Sequence, residues 1–152
     1  MGPRHNCGVV CQHTEQAVTF PDGTAVLASG WLARAPTAWR PDFGVYLDAA
    51  WQPVDWPHVL LDWPDFGVPT NSDLAVSQIR AAFERAKRGE TVEVACIGGH
   101  GRTGTVLACM AILAGVPVSE AVAWVRAAYC TRAVQEPAQQ YWLEHRAADA
   151  LF

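Results

Sequence analysis

The chain has 152 residues, 51% hydrophobic and 17% charged, with a net charge of −4. That supplies enough apolar material for one compact domain, expected over 1–152, with its own core. The negative balance excludes a broad basic surface that would hold nucleic acid or an anionic membrane by counterion release.

Residues 1–12 lack the apolar stretch of a secretory leader. The longest apolar run, 105–118, is too short to cross a bilayer and is broken by Gly115 and Pro117. The expectation is therefore a cytoplasmic protein with neither nucleic-acid nor membrane partners. Five cysteines (7, 11, 96, 109, 130) follow no framework spacing and suit reduced thiols in that compartment.

At the N-terminus, His5, Cys7, Cys11 and His13 match no standard zinc spacing, so no metal site is expected. Residues 24–29 and 45–47 read as strands bounded by Gly, Pro or Asp. Tyr46 fits either core or the wall of a pocket. Residues 58–62 carry Val-Leu-Leu and read as a buried strand. Asn71 or Ser72 caps a helix running to about 88, with Leu74, Ile79, Ala82, Phe83 and Ala86 on one face, and Gly89 ends it.

Residues 91–95 then read as a strand and 106–113 as a buried helix. Gly115-Val116-Pro117 breaks the pattern, and 118–129 resumes it with Ala121, Val122 and Val125 inward. Pro137 opens a last helix to about 151. Helices between and after strands indicate an α/β fold around a short, mostly parallel central sheet flanked by helices. Most of the seven tryptophans (31, 39, 51, 56, 63, 124, 142) suit a packed interior.

The run Cys96-Ile97-Gly98-Gly99-His100-Gly101-Arg102-Thr103-Gly104 joins the strand at 91–95 to the helix after it. Backbone N–H groups of such a glycine-rich turn converge on one anion, and the helix N-terminus adds partial positive charge there. Ile97, Gly98, Gly99, His100 and Gly101 then cradle a phosphate, the glycines allowing an approach that a Cβ would block. A cysteine at the base of such a cradle acts as a thiolate nucleophile. Arg102 offers a planar fork for two phosphoryl oxygens, which lysine cannot copy. Thr103 can donate its hydroxyl to the sulfur.

A second run, Trp63-Pro64-Asp65-Phe66-Gly67-Val68-Pro69, follows the strand at 58–62. Departure of an ester oxygen needs a proton, and Asp65 on a loop hinged at Gly67 can deliver one after closing over the substrate.

The two runs resemble the signature loops of the cysteine-based protein tyrosine phosphatase superfamily, over about 57–140. The resemblance implies that Cys96 is the nucleophile, Arg102 the phosphate binder, Thr103 the hydroxyl behind the sulfur and Asp65 the general acid. Gln135-Glu136-Pro137-Ala138-Gln139 is similar to the family's water-positioning loop, which implies that Gln139 orients the attacking water. It further implies a compact tyrosine or dual-specificity phosphatase fold and metal-independent hydrolysis through a cysteinyl phosphate. No cofactor is implied, and the partner is a phosphorylated protein or peptide.

The family usually has a histidine before the cysteine, and here that residue is Ala95. His100 more naturally shapes the pocket rim. Two rival functions remain open: a catalytically weak phosphate-binding module, and an arsenate-reductase or sulfur-transfer enzyme that has no need of Asp65. Cys109 reads as a small buried hydrophobe. Each cysteine outside the loop is open to a reversible disulfide with Cys96.

Overall fold

The computed structural model describes residues 16–30, 40–47, 54–97 and 99–151. Strands β1 (Gln16–Thr19), β2 (Ala25–Gly30), β3 (Phe43–Tyr46), β4 (His58–Leu60) and β5 (Val92–Cys96) form one sheet in the order β1-β2-β5-β3-β4. Only β1 and β2 are antiparallel, joined by a turn at Gly23 with φ +91°. The other pairings are parallel, with Val94 of β5 opposite Ala28 on one side and Val45 on the other. The mostly parallel sheet expected from the strand–helix alternation is present.

Strand β5 sits at the sheet centre and every residue in it is buried. A central parallel strand is covered on both faces, so it reads as a near-continuous apolar run. The buried strand expected over 58–62 is instead the three-residue edge strand β4, with Leu60 42% exposed. An apolar run does not distinguish centre from edge, and only Leu61 and Trp63 beyond it turn into the core.

Helix α1 (Ser72–Lys87) is capped by Asn71, whose Oδ1 accepts the Leu74 N–H at 3.0 Å. It ends where Gly89 takes φ +96°. Its buried stripe is Ala75, Val76, Ile79, Ala82, Phe83 and Ala86. Leu74, expected on this stripe, lies beside it and is 46% exposed. Helix α2 (Gly101–Leu113) is buried on every side from Gly101 to Ile112, as suits a helix apolar all round. It packs tightly at Gly104, where a Cβ would come within 2.4 Å of the Ala133 Cβ.

Helix α3 (Val118–Ala128) buries Ala121, Val122 and Val125 as the sequence pattern predicts. Helix α4 (Pro137–Trp142) opens on Pro137 with a Glu136/Gln139 capping box. It runs through a π-helical turn (Leu143–Ala147) into α5 (Ala148–Leu151). The chain leaving each of β3, β4 and β5 emerges at the same edge of the sheet, the usual ligand edge of an open parallel sheet.

Candidate active site

Strand β5 ends on Cys96, and the loop after it feeds into α2 at Gly101. Cys96 is only 3% exposed, and the Thr103 hydroxyl donates to its Sγ at 3.0 Å. The Arg102 guanidinium is buried where three strand ends meet. Its Nη1 donates to Leu47 O at 2.7 Å, just past β3, and to Trp63 O at 2.8 Å, past β4. Its Nη2 lies 3.5 Å from Asp65 Oδ1. These two carbonyls fix the fork in place, and they are backbone acceptors on which the side-chain pattern is silent.

Gly99 takes φ +78°, and its carbonyl accepts the Tyr129 hydroxyl from the end of α3. His100, expected at the pocket rim, is 8% exposed and lines the cleft that holds Cys96, with Nδ1 3.5 Å from Cys130 Sγ. The end of α3 packs over this side of the loop, a tertiary contact with no local signal. Gly98 lies outside the described residues.

The loop bearing Asp65 is pinched at its base, where the Thr70 N–H donates to Asp62 O at 3.0 Å and its hydroxyl to Asp62 Oδ2 at 2.9 Å. A tight turn follows, closed by the Gly67 N–H on Pro64 O at 2.9 Å. Phe66 inside that turn takes φ +61°, a left-handed conformation uncommon away from glycine. The Trp63 indole donates to Gly67 O at 2.7 Å and stands edge-on against Trp142, centroids 5.2 Å apart. Gln139 donates from Nε2 to the same Gly67 O at 3.1 Å, while its Oε1 accepts the Glu136 N–H at 3.2 Å. Its amide is thus engaged in joining the Asp65 loop to α4.

A cleft of about 170 Å³ brings together Asp65, Phe66, Cys96, Arg102, Gln135 and Gln139, with Ile97, His100, Gly101 and Arg132 completing its wall. A wider, open groove of about 840 Å³ lies between the β1–β2 turn and the end of α1, and none of these residues reaches it. Gly101 packs tightly on both glutamines, since a Cβ there would meet Gln135 Cβ at 2.9 Å and Gln139 Oε1 at 3.0 Å. Arg132 was not singled out by the sequence. One arginine in an irregular segment carries no spacing signal.

Tyr46 is fully buried and takes the core role. Its hydroxyl donates to Glu93 Oε1 at 2.6 Å and accepts the Trp56 indole N–H at 2.7 Å, while Ser29 Oγ donates to Glu93 Oε2 at 2.8 Å. Tyr46 pairs in register with Ala95, so the usual histidine position is apolar here and the polar link sits two residues earlier, at Glu93. The signal for it was one charged residue in an otherwise apolar strand.

Cys96 and Cys109 are free thiols. Burial pushes the Cys109 pKa up to about 12, so it packs as a neutral small hydrophobe. Cys130 is disulfide-bonded, which corrects the expectation of reduced thiols throughout. Spacing along a chain does not report which sulfurs meet in space. His5, Cys7, Cys11 and His13, where no metal site is expected, and Trp31, Trp39 and Trp51, expected in a packed interior, lie outside the described residues. Among the described residues no group of three His, Cys, Asp or Glu could hold a metal, and no helix is long and apolar enough to cross a membrane.

A chain folded this way, with a cysteine at the base of an anion loop, is a cysteine-based protein tyrosine phosphatase-like domain. Its fold is similar to the crystal structure of Tk-PTP in the active form, at 27% identity and a TM-score of 0.59 over 70% of this chain and 80% of that one. The G95A mutant form of Tk-PTP, 24% identical with a TM-score of 0.61 over 72% and 77%, shares the fold. The chain belongs to the family described as PTP-SAK, the Swiss Army Knife protein, DSP-PTPase phosphatase domain, whose pattern matches residues 53–148.

Two relatives come from Methanocaldococcus jannaschii. The uncharacterized protein MJECL20 is 41% identical over 90 residues, 58% of each chain. The uncharacterized protein MJ0215 is 39% identical over 88 residues, 58% of this chain and 54% of that one. The match therefore spans little more than half the length of either relative.

Proposed function

We propose that this protein is a metal-independent phosphomonoesterase that removes phosphate from phosphotyrosine in proteins or peptides through a cysteinyl-phosphate intermediate. The observation that carries this reading is the meeting of Cys96, Arg102 and Asp65 in one cleft. A module that merely bound phosphate would need neither the nucleophile nor the acid. Phe66, 55% exposed on the same cleft, offers an aromatic face to an aryl ester. Rates on a panel of phosphotyrosine, phosphoserine and phosphothreonine peptides measure the breadth of this activity. A cytoplasmic site of action is part of the same reading and rests on composition.

In the first step Cys96 Sγ attacks phosphorus, the loop N–H groups and the Arg102 fork hold the equatorial oxygens, and Asp65 protonates the leaving oxygen. Water then attacks the cysteinyl phosphate, Asp65 takes its proton, and Thr103 donates a hydrogen bond to the departing sulfur. In this reading Gln139 acts by tying the acid loop down through Gly67 O. Gln135, whose side chain lines the cleft, is the glutamine available to the water, a shift from the assignment implied by the resemblance. No metal or cofactor takes part.

Asp65→Asn tests the acid. Its kcat on a phosphotyrosine peptide falls about 10²- to 10³-fold. The loss is smaller on p-nitrophenyl phosphate, whose leaving group departs with little need of a proton. Steady-state rates on the two substrates check this. An unchanged peptide rate would instead support arsenate-reductase or sulfur-transfer chemistry.

A further inference from the structure

The glycine-rich loop is held from behind by a buried tyrosine that the proposed mechanism does not use. Helix α3 ends at Ala128, and the next residue, Tyr129, is fully buried, its N–H still donating to Val125 O at 2.9 Å. Its hydroxyl donates to the carbonyl of Gly99. Cys130, one residue on, sets its Sγ 3.5 Å from Nδ1 of His100. Two neighbouring residues at one helix end thus grip two neighbouring residues of the loop.

The peptide unit between Gly99 and His100 is trans, as are the peptide bonds among the described residues generally. In a trans unit the C=O and N–H share a plane and point in opposite directions. The Gly99 carbonyl faces Tyr129, and neither of those residues lines the cleft, whereas His100 does. A carbonyl turned back to the helix end therefore leaves the His100 N–H turned toward the cleft that holds Cys96. His100 also opens α2, its carbonyl accepting the Gly104 N–H at 2.7 Å. The N–H and the positive end of the helix then act on the same place.

The loop needs such a hold. Gly99 stands at φ +78°, and a glycine lets its peptide plane turn over with little steric resistance. Turned over, this unit would present a carbonyl oxygen to the anion, and its partial negative charge would repel. A buried carbonyl keeps its place where a donor is fixed for it, and the Tyr129 hydroxyl is fixed by the core around its ring.

We propose that Tyr129 is a positioning residue, whose hydroxyl locks the Gly99–His100 peptide with its N–H aimed into the anion cradle. The proposal rests on the phosphatase reading above and adds a group that reaches the phosphate only through the backbone. Charge on the phosphoryl oxygens is greatest during transfer, so the lock serves the transition state more than the bound substrate.

Tyr129→Phe keeps the ring and removes the donor. Its kcat on p-nitrophenyl phosphate falls about 10- to 100-fold with KM changed less than about threefold, and vanadate binds roughly tenfold more weakly. In proton–nitrogen spectra of the wild type, vanadate moves the His100 amide proton downfield, as befits a donor to an anion. In Tyr129→Phe that shift is lost. Values of kcat and vanadate affinity within about twofold of the wild type overturn the proposal. So does lost activity with the His100 shift intact, which would make Tyr129 a packing residue only. A wild-type His100 amide left unmoved by vanadate overturns it without any variant.

Neither the spectra nor the binding needs turnover, which separates this inference from the reading beneath it. Should the wild type bind vanadate, with a His100 shift that depends on Tyr129, yet hydrolyse no phosphoester, the role of Tyr129 stands and the hydrolase reading falls. A wild type that binds no vanadate overturns both.

Discussion

Cys96→Ser stops turnover of p-nitrophenyl phosphate, lowering kcat by roughly 10⁴- to 10⁶-fold, while inorganic phosphate and vanadate still bind. Serine keeps the shape of the buried position and can still accept from Thr103 Oγ1, which lies 3.0 Å from the sulfur. The hydroxyl ionises far less readily than a thiol. The anion-binding parts, loop amides and Arg102, are untouched by the change. Steady-state assays beside calorimetric titration with vanadate read both halves of the prediction. Activity retained within tenfold would move the nucleophile elsewhere.

Arg102→Lys has the second-largest effect, a loss of about 10³- to 10⁴-fold in kcat/KM. The guanidinium serves two ends at once. Through Nη1 it holds Leu47 O and Trp63 O at 2.7 and 2.8 Å, and its Nη2 lies 3.5 Å from Asp65 Oδ1, leaving the remaining N–H groups for the phosphate of the proposed reaction. An ammonium is one point charge with three donors and cannot span both carbonyls and two phosphoryl oxygens. A buried carbonyl left unpaired costs about 1–3 kcal/mol in addition, so the midpoint of thermal unfolding falls with the rate. If Arg102→Lys keeps a tenth or more of wild-type kcat/KM, the fork is not what holds the phosphoryl group.

The reason these effects are foreseeable lies in how the site is distributed along the chain. Cys96, Arg102 and Thr103 fall in one short run because a phosphate cradle needs consecutive amides, so the sequence exposes them together. Asp65 is distant, yet its Trp-Pro-Asp turn is legible because prolines and a hinge glycine are visible as residue types. The fold class was legible for a similar reason: helices alternate with apolar strands, and central β5 is apolar at four of its five positions, Glu93 being the exception.

What escaped the sequence depends on contacts between distant segments or on backbone atoms. Leu47 and Trp63 act through carbonyls, which every residue has. Tyr129 on Gly99 and Cys130 beside His100 require knowing where α3 ends in space. Strand β1 is four residues, Gln-Ala-Val-Thr, too short for a period to show. Both glutamines are visible in the sequence and both line the cleft, but that the Gln139 amide is held by the capping box of α4 and by the Gly67 carbonyl is not. Glu93 lies in a buried strand, and only the fold brings its partners Tyr46 and Ser29 to it.

The central claim is a covalent bond between Cys96 and phosphorus during turnover. Acid quenching of the enzyme mixed with p-nitrophenyl phosphate, followed by digestion and mass analysis, reads it directly. The account predicts phosphate on the peptide bearing Cys96, with more of it trapped in Asp65→Asn, where the second step lacks its base. Product released with no phosphate on that peptide in either protein would contradict it.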